Sequence, residues 1–183
     1  MSPPNPLTVW ITGLSASGKT TLGGALVRHL TARGLAAVWL DGEEIRRRLD
    51  RSYGRSREER VLVVDKIGEM AAEVNDAGQI AVVSTISHVQ SARTAVRTRL
   101  KNFFEIYLNC PPQVCATRDY KGQYRRAFDG ELDNFVGVTE PYEESSKVEL
   151  AIDTAALSVD EALASAIAAL THAKVLPPMA KVS

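Results

Sequence analysis

The feature that most constrains this chain is a short glycine-rich motif near its amino end. Residues 13–20 have the form G-x-x-x-x-G-K-T and follow an apolar run, residues 7–12, that is typical of a buried strand. In such a loop successive backbone N–H groups point at one anion, and the helix that follows adds the positive end of its dipole. Lys19 can then reach the outer phosphates of a nucleotide, and Thr20 can ligate magnesium. The motif therefore predicts a nucleoside triphosphate site between a strand and a helix.

Composition limits the size of the fold and the kind of partner. With 183 residues and 45% hydrophobic content, the chain suits one core, so a single domain over residues 1–183 is expected. Its 22 basic and 22 acidic residues provide no basic field for nucleic acid or a membrane surface. Cys110 and Cys115 have a spacing that suits neither a redox pair nor a zinc site, and no leader or membrane-spanning run is evident. We expect a cytoplasmic protein with a small-molecule nucleotide ligand.

Strand and helix patterns alternate along the rest of the chain. Further strands are predicted at residues 36–40, 80–85, 103–108 and 147–152, and helices at 19–33, 58–75, 91–101 and 158–173. This alternation predicts an α/β fold in which a parallel β-sheet is sandwiched by α-helices.

Other segments carry more local expectations. The apolar run 36–40 favours a strand covered on both faces, and the arginines of 91–101 favour a basic surface helix. The polar, glycine-containing segment 120–144 is typical of a mobile lid. Both ends, about 1–6 and 175–183, are expected to be disordered.

Polar side chains follow the predicted strands at their carboxyl ends, where parallel sheets bind ligands. Asp41 with Glu43, Ser84 to Ser87, and Asn109 occupy such positions. Asp41 could orient an acceptor hydroxyl or hold magnesium through water, and Asp41-Gly42 is also a common turn pair. Residues 46–60 are rich in arginine, whose guanidinium suits phosphate or sulfate oxygens, but composition does not select which arginines bind.

Several further motifs match one known family in order and spacing. They include Asp41-Gly42-Glu43-Glu44-Ile45-Arg46 for the pattern D-G-D-x-x-R, Ile86-Ser87 for the start of I-S-P, and, around the lid, Arg118-Asp119, Lys121-Gly122, Tyr124, Gly130-Glu131, Asn134-Phe135, Gly137 and Pro141-Tyr142-Glu143. Over about residues 8–154 the sequence resembles the adenylylsulfate kinases, which transfer phosphate from ATP to the 3′-hydroxyl of adenosine 5′-phosphosulfate (APS). The resemblance implies a P-loop kinase fold with a lid, ATP and Mg²⁺ as cofactors, and leaves a homodimer open.

The resemblance also implies a role for each matching residue. Lys19 and Asp41 would be catalytic, with Asp41 orienting the 3′-hydroxyl, and Thr20 would ligate Mg²⁺. Phe135 would stack on the substrate base, although a pure lid-core role is an equal contender. The implied ATP-binding residues are Gly13, Ser15, Ala16, Ser17, Gly18, Lys19, Thr20, Thr21 and Arg118. The implied substrate-binding residues are Asp41, Arg46, Arg60, Ile86, Ser87, Lys121 and Phe135.

Departures from the family pattern cluster on the acceptor side. Arg55 stands where the family has a phenylalanine, Val63 where it has asparagine, and Asp65 where it has arginine. His88-Val89-Gln90 replaces proline, an aromatic residue and arginine. Two acceptors therefore stay open: APS, or another nucleotide-linked acceptor such as a cytidine diphosphate derivative.

Overall fold

The computed structural model describes residues 7–176 and is built on one five-stranded sheet. Its strands are β1 (Thr8–Gly13), β2 (Ala37–Asp41), β3 (Ile80–Ser84), β4 (Phe103–Asn109) and β5 (Leu150–Asp153). Every neighbouring pair is parallel, and the order across the sheet is β2-β3-β1-β4-β5. The helices are α1 (Lys19–Ala32), α2 (Gly42–Arg48), α3 (Arg57–Asp76), α4 (Gln90–Arg99), α5 (Pro112–Arg118), α6 (Gln123–Phe128) and α7 (Val159–His172).

Two apolar cores cover the two faces of the sheet. Along β1, Val9 and Ile11 face a core shared with α1 and α7, while Trp10 between them faces a core shared with α3 and α4. This alternation is the period of a strand whose two faces are both covered by helices. The predicted α/β fold is confirmed, and β1, at the centre of the sheet, carries the phosphate-binding loop at its carboxyl end.

The lid segment has more structure than its composition indicates. It contains α6, and its apolar side chains pack with the loop after β1 and with α5. We call this group the lid core; its buried members are Leu14, Cys110, Cys115, Tyr124, Ala127, Phe135 and Val136. The lid is therefore a packed layer over the phosphate-binding loop, and its mobility stays a prediction.

Two local predictions are wrong for identifiable reasons, and a third is confirmed only in part. The strand β2 packs against α1 on one face and against the core beside α3 on the other, but it lies at the edge of the sheet and Trp39 stays 38% exposed. The helix α4 is not only a surface helix, because Arg93 is buried against Glu105 of β4. Leu176, placed by prediction in a disordered tail, is buried in the core beside α7. Residues 1–6 and 177–183 lie outside the described part of the chain.

Within residues 7–176, none of the helices has both the length and the apolar character that a membrane span requires.

Candidate active site

The loop after β1 has the backbone conformation that its glycines predict. Gly13 and Gly18 have φ of 147° and 101°, and Ala16 also has a positive φ of 58°. A Cβ atom at Gly13 would lie 2.7 Å from the carbonyl oxygen of Leu108, so only glycine fits there. The loop thus turns tightly between β1 and the first turn of α1, where backbone N–H groups suit an anion.

Lys19 lies beside this loop with little solvent around it. It is 9% exposed, and its Nζ donates a hydrogen bond to the carbonyl oxygen of Leu14 at 2.5 Å. Burial lowers the pKa of Lys19 to about 8, although the nearby Asp41 and Glu43 carboxylates oppose that shift. A poorly solvated ammonium at this position is suited to bind phosphate oxygens.

Asp41 holds together the end of β2, the start of α2 and the phosphate-binding loop. Its Oδ1 accepts from the backbone N–H groups of Glu43 and Glu44 at 3.0 and 3.1 Å, which makes Asp41 the N-cap of α2. Its Oδ2 accepts from Thr20 Oγ1 at 3.0 Å and from Ser84 Oγ at 3.3 Å. The carboxylate therefore has a fixed orientation beside Thr20.

A cavity of about 800 Å³ opens along the phosphate-binding loop. Of the predicted ATP-binding residues all but Gly13 line it, because Gly13 lies at the base of the loop against β4. Arg118 forms one wall, with its Nη2 donating to the carbonyl oxygen of Thr154 at 2.6 Å. Sequence reasoning missed several further lining side chains, among them Trp39, Thr154 and Leu157, which belong to no recognisable motif.

A second cavity of about 230 Å³ adjoins the first on the side of α2 and α3. All seven predicted substrate-binding residues line it, so the structure brings together side chains from six different segments of the chain. The residues that line both cavities are Ser15, Ala16, Lys19, Thr20, Asp41, Glu43 and Lys121. The two cavities therefore meet at the lysine, threonine and aspartate that the sequence singles out.

The smaller cavity is cationic. Arg46 donates to the carbonyl oxygens of Tyr53 and Gly54, and Arg60 donates to those of Arg55 and Asn134. Arg46, Arg55 and Arg60 form no ion pair with any carboxylate among residues 7–176. Burial, together with the other two arginines, lowers the pKa of Arg60 to about 10. This cavity suits a ligand that carries negative charge.

Two predicted contacts of the acceptor pocket serve other roles as well. The Ser87 hydroxyl is buried, accepts from Trp10 Nε1 at 3.0 Å and donates to Thr12 Oγ1 at 3.0 Å. Phe135 lines the cavity but also belongs to the lid core, where its ring meets the ring of Tyr124 edge-on at 4.9 Å. Both positions thus combine a cavity wall with internal packing.

The departures from the family pattern divide into two groups. Arg55, Val63 and His88 line the smaller cavity, as expected of residues that shape an acceptor pocket. Asp65 does not line it and instead pairs with Arg99 of α4 at 2.9 Å. Val89 and Gln90 do not line it either: Val89 is buried in the core beside α3, and the N–H of Gln90 donates to Glu143. The interpretation of Asp65, Val89 and Gln90 as pocket residues is therefore wrong.

Two side chains of the lid contact the phosphate-binding loop and the rim of the cavities. Tyr124 Oη donates to the carbonyl oxygen of Ser15 at 2.9 Å, so α6 is attached directly to the phosphate-binding loop. Lys121 forms an ion pair with Glu43 of α2, which bridges the rim that both cavities share. The lid is therefore placed to influence the binding of either ligand.

A phosphate-binding loop on the central strand, an adjoining carboxylate and a second, cationic cavity define a P-loop kinase. The family model described as "Adenylylsulphate kinase" matches residues 5–153. The chain belongs to the adenylylsulphate kinase family.

Relatives with the same assignment cover most of the chain. A probable adenylyl-sulfate kinase of Halalkalibacterium halodurans is 42% identical over 168 residues, which are 91% of this chain and 83% of that protein. An adenylyl-sulfate kinase of Geotalea uraniireducens is 42% identical over 164 residues, covering 88% of this chain and 79% of that protein.

Solved structures agree with the family assignment. The APS kinase of Mycobacterium tuberculosis in complex with AMPPNP and APS superposes with a TM-score of 0.86 and 32% identity, over 92% of this chain and 99% of that one. A hexameric APS kinase from Thiobacillus denitrificans gives a TM-score of 0.72 and 30% identity, over 97% of this chain and 32% of that one. A gluconokinase from Sinorhizobium meliloti, 21% identical with a TM-score of 0.62, shares the fold.

Proposed function

We propose that this chain transfers the γ-phosphate of ATP to the 3′-hydroxyl of adenosine 5′-phosphosulfate. The observation that carries this proposal is the junction of two cavities at Lys19, Thr20 and Asp41, one along the phosphate-binding loop and one lined by unpaired arginines. ATP would occupy the first cavity and the phosphosulfate of APS the second. The M. tuberculosis relative, solved with an ATP analogue and APS, supports this assignment.

Phosphoryl transfer needs positioning and charge neutralisation more than covalent help from the protein. In the proposed reaction the 3′-oxygen bonds to the γ-phosphorus while the bond to the β–γ bridging oxygen breaks and ADP leaves. Lys19 and the backbone N–H groups of residues 15–20 would stabilise the charge on the transferring phosphate. Asp41 would orient the hydroxyl, Arg46 and Arg60 would bind the phosphosulfate, and Arg118 would lie against the adenine of ATP.

Magnesium fits the oxygen atoms available at this junction. Thr20 Oγ1 and Asp41 Oδ2 lie 3.0 Å apart, and both are hard oxygen ligands. Among residues 7–176 no three acidic, histidine or cysteine side chains cluster as a metal site, which suits an ion held mainly by nucleotide phosphates and water. We propose that Thr20 ligates Mg²⁺ and that Asp41 holds it through water; the ion would neutralise charge on the β- and γ-phosphates.

A second candidate keeps the chemistry and changes the acceptor. Arg55, Val63 and His88 line the smaller cavity at positions where the family pattern has other residues. Arg55 can stack on a base, and His88 can read a different base edge. Another nucleotide-linked acceptor, such as a cytidine diphosphate derivative, is therefore the alternative to test.

Competition between acceptors tests the proposal directly. The purified chain is incubated with Mg²⁺ and γ-labelled ATP together with APS, or with a cytidine diphosphate derivative, and the labelled product is identified by mass spectrometry. We expect the label on the 3′-oxygen of APS, and most of that labelling should be lost in Asp41→Asn. Faster labelling of the cytidine compound would favour the second candidate, and no labelling of either would refute the kinase assignment of these residues.

Three expectations from the sequence stay predictions: a single domain, a cytoplasmic location and a homodimer. Sedimentation of the purified chain distinguishes a dimer from a monomer or from the hexamer named for the T. denitrificans relative.

A further inference from the structure

The side chain of Trp39 lies between the sheet and α1, the helix that follows the phosphate-binding loop. It belongs to the edge strand β2, and its indole lies across Gly23 and Gly24 of α1. A Cβ atom at Gly23 would be 2.9 Å from the indole nitrogen, and one at Gly24 would be 3.6 Å from the ring carbons. Two consecutive glycines weaken a helix interior relative to alanine. The close approach of the indole accounts for this pair.

The indole nitrogen starts a chain of hydrogen bonds that ends on the proposed catalytic carboxylate. Trp39 Nε1 donates to Ser84 Oγ at 2.9 Å, and Ser84 Oγ donates to Asp41 Oδ2 at 3.3 Å. A serine hydroxyl has one proton, so accepting from the indole directs that proton towards Asp41. Ser84 is 3% exposed and pairs in register with Asp41 across β2 and β3.

Ser84 supplies half of the side-chain contacts that fix Oδ2 of Asp41. The other is the Thr20 hydroxyl, which is also the proposed magnesium ligand. Backbone N–H groups hold only Oδ1, as the N-cap of α2. Ser84 also lines the smaller cavity, where the acceptor is proposed to bind.

We propose that Trp39 and Ser84 are positioning residues that orient the Asp41 carboxylate towards the acceptor hydroxyl. The proposal rests on the proposed function, because it assigns a role to the same carboxylate in the same reaction. It goes beyond that function in giving Trp39, which also lines the larger cavity, a role in turnover.

Single substitutions test the two hydrogen bonds separately, the one from Trp39 to Ser84 and the one from Ser84 to Asp41. Ser84→Ala removes the donor to Asp41, and Trp39→Phe keeps an aromatic ring against the glycines while removing the indole N–H. We expect kcat to fall about tenfold in Ser84→Ala and about threefold in Trp39→Phe, with KM for ATP changed by less than about twofold. An unchanged kcat in Ser84→Ala would overturn the proposal, as would a Trp39→Phe variant that loses only ATP affinity.

The double variant distinguishes positioning from a general loss of stability. Because the indole acts on Asp41 only through Ser84, Trp39→Phe combined with Ser84→Ala should have the kcat of Ser84→Ala alone. Effects that multiply would contradict the proposal. Thr8→Val is the matched control, since it removes a buried hydroxyl that donates to Asn75 at the amino end of β1, away from Asp41 at the carboxyl end of β2. It should lower the melting temperature and leave kcat unchanged.

A measurement without turnover separates this proposal from the proposed function. The Trp39 indole N–H should exchange slowly with solvent in an NMR experiment on the wild-type chain, and at least about ten times faster in Ser84→Ala. A protected indole in a chain that does not phosphorylate APS would support the hydrogen-bond chain and refute the acceptor. An unprotected indole in an active chain would overturn the positioning proposal alone.

Discussion

Lys19 is buried, yet its side chain must be positively charged to bind phosphate oxygens. Its pKa of about 8 reflects loss of water around the ammonium, an effect that the Asp41 and Glu43 carboxylates only partly offset. Phosphate oxygens favour the charged form, so bound nucleotide raises this pKa again. Nucleotide binding is consequently linked to proton uptake by Lys19 when the pH is near 8 or above.

This linkage predicts weaker ATP binding at alkaline pH. If only the ammonium form binds well, affinity for Mg²⁺-ATP falls about tenfold between about pH 7 and pH 9, because a group with a pKa of about 8 passes from mostly charged to mostly neutral. Calorimetry in two buffers of different ionisation enthalpy measures both the affinity and the protons taken up. Lys19→Ala should bind weakly at every pH without proton uptake, and a pH-independent wild type would contradict the prediction.

The substrate side shows what motif spacing can and cannot predict for single residues. All seven predicted substrate-binding residues line one cavity. The family pattern predicts this because its members share a fold, whereas composition carries no information on which residues meet in space. The family pattern also predicts Asp65 on the acceptor side, because it replaces an arginine of that pattern. On a helix, however, residues two apart point about 200° from each other. Val63 therefore faces the cavity, while Asp65 faces Arg99 of α4.

At the scale of elements, Asp41 has two functions that substitutions can separate. As the N-cap of α2 it accepts from two backbone N–H groups, and as a site residue it supplies a negative charge beside Thr20. The sequence predicted no helix here, because Asp41-Gly42 also indicates a turn and seven residues are too few to show a helical period.

We predict that Asp41→Asn keeps the helix and loses the reaction. Asparagine caps helices about as well as aspartate, so the free energy of unfolding should change little, whereas Asp41→Ala should lose about 1 kcal/mol through the missing cap. Both variants should lose most of their kcat. Urea unfolding and steady-state kinetics on the same samples measure the two effects, and an Asp41→Asn variant with wild-type kcat would remove the carboxylate from the mechanism.

The lid is a second element whose link to the site can be tested. Tyr124 is buried in the lid core and its hydroxyl donates to Ser15 of the phosphate-binding loop, so Tyr124→Phe breaks that bond and keeps the ring. One such hydrogen bond contributes about 1 kcal/mol, which predicts an increase in KM for ATP of about fivefold. Tyr107→Phe, on β4 and outside both cavities, is the control. Equal KM values in both variants would show that the lid does not support the loop.

At the scale of the whole molecule, an ionic cluster ties the acceptor segment and the lid to the sheet. Arg93 Nε lies 3.1 Å from Glu105 Oε1, although the two are not aligned as a hydrogen bond. The same guanidinium donates to the carbonyl oxygens of Ser87 and Glu143, and Arg97 pairs with Glu105 from the next turn. The buried side chain of Arg93, on α4, therefore contacts β4 through Glu105, the wall of the smaller cavity through Ser87 and the end of the lid through Glu143.

This cluster is the part of the fold that the sequence predicted least. Hydrophobic period and turn residues gave the sheet and its flanking helices, because local patterns report which faces are apolar. An arginine-rich helix gives no such signal, since a buried Arg93 and an exposed Arg99 have the same local pattern. Only the pairing of β4 with β1 brings Glu105 beneath α4 and makes burial of Arg93 possible.

We predict that Arg93→Met destabilises the protein by about 3 to 5 kcal/mol, because it leaves Glu105 buried with Arg97 as its remaining cation. Arg99→Met on the same helix removes a partly exposed pair with Asp65 and should cost at most about 1 kcal/mol. Urea unfolding of both variants measures the difference.

Because Arg93 also holds Ser87 and Glu143, KM for the acceptor should rise in Arg93→Met and stay constant in Arg99→Met. Equal destabilisation of the two variants would mean that solvent reaches Glu105 and that the cluster does not join the lid to the sheet.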